Sequence, residues 1–209
     1  ENAIVGLLLE LDPHSAYLDF SDYEDLQESA SGEYGGLGIE VSAERGLIKV
    51  IAPIDGSPAE KIGIESGDLI VEIDGQSVRS MALPRAIDKL RGDKGSAIDL
   101  EIYREGEDSP LSFTIIRDII YNSAVRSRFL EPGIGYVRIA QFQEKSGSDF
   151  IAALEELTAQ ASSDQPIRGL VIDLRNNPGG LVPAAIDIAD ALLDDGTIVY
   201  TEGRVTSSN

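Results

Sequence analysis

The residues best suited to chemistry stand in one run, Gly169-Leu-Val-Ile-Asp-Leu-Arg-Asn-Asn-Pro-Gly-Gly180. An apolar stretch breaks at Asp173 to Arg175 into a polar turn closed by two glycines, and a helix-like stretch from Leu181 to Leu193 follows. Glycines let a ligand approach the backbone closely, and N–H groups ahead of a helix converge on one small space. That arrangement suits a bound anion, or the negative charge that develops on a tetrahedral intermediate. Asp173 and Arg175 are read as a pair holding the turn or as solvated charges, without a catalytic role.

A second cluster, Gly35-Gly-Leu-Gly-Ile39, directly precedes a strand. A glycine-rich turn there exposes successive N–H groups that can hold a terminal carboxylate. Leu37 and Ile39 would face a groove whose other wall is a helix bearing Ala86, Ile87 and Leu90. A peptide would then add as an extra strand, with its last side chain in the apolar pocket. Taken alone, the cluster reads equally as a glycine turn over core leucines. A dinucleotide fingerprint fits worse, because a strand and not a helix follows the glycines.

Composition removes other chemistries. Acidic residues number 37 against 17 basic, a net charge of −20 that repels phosphate backbones and argues against nucleic-acid binding. The absence of Cys excludes disulfides, thiol catalysis and Cys-ligated zinc. The single His, His14 in Asp12-Pro-His-Ser-Ala-Tyr17, is read as a local hydrogen-bonding residue and not as a base. No metal or cofactor is expected. No apolar run approaches the ~20 residues of a membrane span. The chain opens at Glu1 without Met or an apolar leader, so any targeting segment is expected to have been removed or left out.

Three regions must position these clusters. Ile4, Leu7, Leu8 and Leu11 have helical spacing, and residues 1–30 are read as a helical segment packed on another part of the protein. Residues 31–118 read as a β-rich module. Strands are expected at Ile39–Val41, Leu47–Ile51 and Leu69–Ile73, the last ending in an Asp74-Gly75 hairpin turn. Ser57-Pro-Ala-Glu60 signals a capped helix closed by Gly63, and Leu83–Leu90 a second helix. Two alternating stretches, Ile98–Ile102 and Leu111–Ile115, read as a hairpin. In residues 119–209, strand Gly135–Ile139, helix Ser148–Leu157, a buried-looking strand Leu170–Leu174 and the helix after Gly180 imply a right-handed crossover. Thr197–Tyr200 reads as one more strand.

Gly36-Leu-Gly-Ile39, Ile51-Ala-Pro-Ile-Asp-Gly-Ser-Pro-Ala59, Gly63-Ile-Glu-Ser-Gly-Asp-Leu-Ile70, Ile73-Asp-Gly75 and Lys89-Leu-Arg-Gly92 together resemble a bacterial PDZ domain of permuted form. With Leu11-Asp-Pro-His-Ser-Ala-Tyr-Leu18, Gly32-Glu-Tyr-Gly-Gly36, Gly135-Tyr-Val-Arg-Ile139, the Asp173–Gly180 turn and Gly203-Arg204, nearly the whole chain resembles the carboxyl-terminal processing (tail-specific) proteases. The resemblance implies a mixed α+β fold, with a PDZ module inserted between an N-terminal helical segment and a partial α/β protease core. It implies a serine peptidase with a Ser/Lys dyad that acts on unfolded or tagged proteins through their nonpolar C-termini, outside the cytoplasm. Gly179 or Gly180 would supply an oxyanion-hole N–H. Gly36, Leu37, Gly38, Ile39, Ile87 and Leu90 would bind the peptide end.

The family's Ser lies well beyond the Gly-Arg motif, and its Lys further on. Ser207 and Ser208 follow Gly203-Arg204 too closely to serve, and Lys49, Lys61, Lys89, Lys94 and Lys145 lie in the wrong places for the base. These 209 residues are therefore expected not to cut peptides. The alternative is a non-enzymatic PDZ adaptor with a degenerate protease-like domain. An unpaired sheet edge and an exposed apolar helix face would favour association between copies.

Overall fold

The computed structural model of the protein describes residues 2–10, 15–161 and 166–200. They form two compact units, Glu33–Tyr121 and the chain on either side of it, up to Gly32 and from Asn122 onward. Among the described residues no helix is long and apolar enough to cross a membrane. His14, Gly203, Arg204, Ser207 and Ser208 lie outside them.

The N-terminal segment holds two helices, α1 (Asn2–Leu9) and α2 (Phe20–Ser31). Asp19 caps α2 by accepting from the Asp22 N–H at 2.9 Å, and the Gly32 N–H closes its other end on the Glu28 carbonyl. The Glu144 N–H donates to the Ala30 carbonyl at 2.8 Å, which ties the end of α2 to the C-terminal part of its unit.

The unit Glu33–Tyr121 contains β1 (Glu33–Gly36), β2 (Ile39–Glu44), β3 (Leu47–Pro53), α3 (Pro58–Ile62), β4 (Leu69–Ile73), β5 (Gln76–Ser77), α4 (Leu83–Leu90), β6 (Ala97–Tyr103), β7 (Leu111–Ile116) and β8 (Asp118–Tyr121). Its larger sheet runs β2-β3-β4-β6-β7, with β5 paired to β4. Local signals explain most of this. Ser57 accepts from the Glu60 N–H at the start of α3, Pro58 opens the helix, and the Gly63 N–H closes it. Asp74 and Gly75 both take positive φ, 48° and 68°, as a two-residue hairpin of primed type requires. Ile98, Leu100 and Ile102 alternate with outward residues and are all buried, each contributing about 1.5–3 kcal/mol from its removal from water. They join Leu37, Ile70, Ile73, Ala86 and Leu90 in one core.

The glycine cluster is not simply a turn. Gly35 and Gly36 belong to β1, which pairs antiparallel with β8 in the register Gly36↔Asp118. No alternation marks a strand so rich in glycine, and its partner lies about 85 residues away along the chain. The reason for Gly35 is steric: a Cβ there would stand 2.2 Å from the Gly92 carbonyl oxygen.

The C-terminal part contains β9 (Val125–Glu131), β10 (Ile134–Ile139), α5 (Ser146–Gln160), β11 (Gly169–Asp173) and α6 (Val182–Asp190). β10 runs parallel to β11 and antiparallel to β9. Val137, Ile139, Phe150, Leu157 and Ile188 make the second core. Two sequence expectations need correction. The strand before the turn is not buried: β11 is an edge of its three-stranded sheet, and Val171 is 43% exposed. Thr197–Tyr200 forms no strand. A strand needs a neighbour for its N–H and C=O groups, whereas Ile198 and Val199 line a cavity together with Val182, Ala185 and Ile186 of α6.

Candidate functional site

In the unit Glu33–Tyr121, a cavity of about 170 Å³ lies between the loop joining β1 to β2 and the helix α4. Gly36, Leu37, Gly38, Ile39, Ile87 and Leu90 all line it, together with Val41. The amphipathic turn of α4 makes this possible: Ala86 and Leu90 anchor the helix in the core, while Ile87 stays half-buried at the cavity. On the opposite wall the Leu37 carbonyl accepts from the Ala59 N–H at 3.0 Å, and the Gly38 carbonyl from the Ile54 N–H at 2.8 Å. A trans peptide carries its N–H opposite its C=O, so the Gly38 and Ile39 N–H groups are aimed away from those partners.

Sequence analysis left Arg91 out of this pocket. In the structure Arg91 also lines the cavity, and its guanidinium stacks on the Tyr34 ring at 4.8 Å. Those two residues are 57 positions apart, and no local pattern links them.

In the other unit, the turn after β11 is braced from both ends. The buried Asp173 carboxylate accepts from the Arg175 N–H and Nε, both at 2.9 Å, from Arg175 Nη2 at 2.6 Å and from the Tyr136 hydroxyl at 2.5 Å. The Arg175 guanidinium foremost, and then the Tyr136 hydroxyl, hold this carboxyl well below the usual carboxylate range; the carboxylate in turn raises the Arg175 pKa. Arg175 and Asp173 therefore pair, and Tyr136 on the neighbouring strand is the partner that sequence reading missed.

Further on, Asn177 donates from Nδ2 to the Ile139 carbonyl at 3.0 Å and accepts the Gly179 N–H at 2.7 Å. The Phe142 N–H donates to the Gly179 carbonyl, and the Leu181 N–H to the Phe142 carbonyl. Gly180 is required here, since a Cβ would sit 2.2 Å from the Phe142 oxygen. The two glycines are thus unequal. The Gly179 N–H is already engaged within the turn, while the Gly180 N–H points away from the Phe142 side of its peptide. Beside them lies an apolar cavity of about 330 Å³ lined by Phe142, Leu181, Val182, Ile186 and Val199 among others.

Comparison with known proteins bears on both places. A model of peptidase family S41 matches residues 133–209, and a PDZ domain model matches residues 49–104. The carboxy-terminal-processing protease of Bartonella bacilliformis is 49% identical over 204 residues, covering 98% of this chain and 46% of that protein. The chain belongs to the carboxy-terminal processing protease family. Among other relatives, the carboxyl-terminal-processing protease of a Synechocystis species is 37% identical over 209 residues, covering 97% of this chain and 48% of its own length. The photosystem II D1 C-terminal processing protease is a solved structure with 31% identity and a TM-score of 0.46, covering 92% of this chain and 53% of that one. The chain spans about half the length of the curated relatives it matches. The cavity at α4 belongs to the PDZ-bearing unit, and the Asn177–Gly180 turn lies within the S41 stretch.

Proposed function

We propose that this chain carries the recognition pocket and part of the oxyanion hole of a serine endopeptidase that processes or degrades proteins from nonpolar C-termini. The observation that carries the reading is the cavity of about 170 Å³ walled by Gly36–Ile39 on one side and by Ile87 and Leu90 on the other. The loop N–H groups there suit a terminal carboxylate, and the apolar walls suit the last side chain. An extended chain end would lie along β2, and unfolded or tagged proteins offer such ends.

In the turn, the Gly180 N–H is the better oxyanion donor, because Asn177 occupies that of Gly179. The nucleophilic Ser and the Lys base would come from sequence outside these 209 residues. The Lys would act as base with its pKa lowered by burial. An extracytoplasmic compartment accords with the family and with the absence of cysteine.

The test is binding of a labelled peptide with a free apolar C-terminus to the 209-residue chain, beside its amidated twin. Amidation should remove most of the affinity, and equal binding of the two would refute the carboxylate-loop reading. A non-enzymatic adaptor would bind the same way. Sequence following Asn209 separates the two readings: a Ser in a small-residue elbow with a Lys downstream makes the protein a protease.

A further inference from the structure

We propose that Arg117 is a positioning residue that sets the width of this pocket, and with it the selectivity for the terminal side chain. The inference rests on the peptide-end reading above.

Arg117 sits between β7 and β8 and is only 8% exposed. Its guanidinium donates to the Lys89 carbonyl at 2.8 Å, the Leu90 carbonyl at 3.2 Å, the Ala97 carbonyl at 3.0 Å and the Ser96 hydroxyl at 2.9 Å. Its own N–H donates to the Ser96 carbonyl, and its carbonyl accepts from the Gly95 N–H, both at 2.8 Å. A cation is thus held among neutral oxygens, two of them the last carbonyls of α4. Those carbonyls have no partner inside the helix, and the helix end is its negative pole.

The same last turn of α4 carries Ile87 and Leu90, and Arg91 follows it directly; all three line the pocket. The facing wall follows β1, and β1 pairs with β8, the strand that begins one residue after Arg117. The Arg117 side chain therefore fixes one wall, and its backbone is continuous with the strand that fixes the other. A second tie joins the walls where the Gly92 N–H donates to the Gly35 carbonyl at 3.2 Å. Gly92 also gives Arg117 its room: a Cβ there would stand 3.0 Å from Arg117 Nε.

Packing alone does not call for this arrangement, since burying a charge is costly and an apolar side chain could fill the space. What the guanidinium adds is a rigid fork that holds several carbonyls at once, which a lysine ammonium cannot reproduce.

The experiment compares dissociation constants of two free-carboxylate peptides, identical except for a terminal Leu or Ala, with the full 209-residue chain. A formed apolar pocket should favour Leu by about tenfold or more. Arg117→Lys should bring that ratio to within about threefold. Ser96→Ala, which removes one acceptor, should give an intermediate ratio with little loss of thermal stability. Ile102→Val, a core change on β6, should lower the melting temperature and leave the ratio as in the parent chain. Should Arg117→Lys fail to fold, Ser96→Ala carries the test. A parental ratio in the folded Arg117 and Ser96 variants would make Arg117 a stability residue only and overturn the proposal. If the parent chain binds no free-carboxylate peptide better than its amide, the peptide-end reading falls first and takes this inference with it.

Discussion

Replacing Gly180 by Ala probes the turn most directly, and Gly179→Ala is its natural control. At Gly180 the new Cβ would meet the Phe142 oxygen at 2.2 Å, its carbonyl carbon at 2.9 Å and its nitrogen at 3.0 Å. All three are backbone atoms, so no rotamer change relieves the clash. The φ of 137° adds about 1–3 kcal/mol of strain for an L residue. Separating the segments also breaks the Phe142 N–H bond to Gly179 and the Leu181 N–H bond to Phe142, each worth about 0.5–1.5 kcal/mol net. The local cost is therefore about 2–6 kcal/mol. At Gly179, φ is 109° and nothing lies within 4 Å of a Cβ, which leaves the strain of about 1–3 kcal/mol alone.

The assay is amide hydrogen exchange at Phe142 and Leu181. Gly180→Ala should expose both amides about tenfold or more beyond Gly179→Ala, since 1.4 kcal/mol is a tenfold change in an opening equilibrium. Equal exchange in the two variants would refute the steric argument. In a protein that also supplies the nucleophile, Gly180→Ala should lower kcat by about 10²–10³ through the displaced N–H.

Two further outcomes follow from the ion pairs. The Asp173 pKa is depressed in the folded protein, so the pair's stabilisation is full above the unfolded carboxyl value of about 3.9 and is lost as pH falls below it. Asp173→Asn should lower the melting temperature at neutral pH and remove that acid-side loss; parallel melting curves from pH 7 to pH 2 would contradict it. In the PDZ-bearing unit, Arg104 grips the buried Asp68 through Nε at 2.7 Å and Nη2 at 2.8 Å. Arg104→Ala leaves that carboxylate without its cation and should cost about 2–4 kcal/mol in urea unfolding, whereas a loss under about 1 kcal/mol would show the pair to be dispensable.

Sequence alone was sufficient wherever the cause is local. Ser57, Pro58 and Gly63 mark α3 because capping acts within one turn, and Asp74-Gly75 marks its hairpin because φ preference belongs to single residues. The alternation of Ile98, Leu100 and Ile102 determines β6 and its inward face. Gly36–Ile39, Ile87 and Leu90 could be grouped from the order of elements, and the structure gathers them around one cavity.

Tertiary structure decided what depends on partners far along the chain. It turned Gly35 and Gly36 into a strand, because β8 is there to pair with them, and the Gly92 carbonyl excludes a Cβ at Gly35. It placed Arg91 on Tyr34 and Arg117 under the end of α4, contacts for which helical or strand spacing carries no signal. It also separated Gly179 from Gly180. As a sequence the two are the same residue twice; in the fold Asn177 takes the Gly179 N–H, while Phe142, brought in by another segment, donates to the Gly179 carbonyl and so leaves the Gly180 N–H directed the other way.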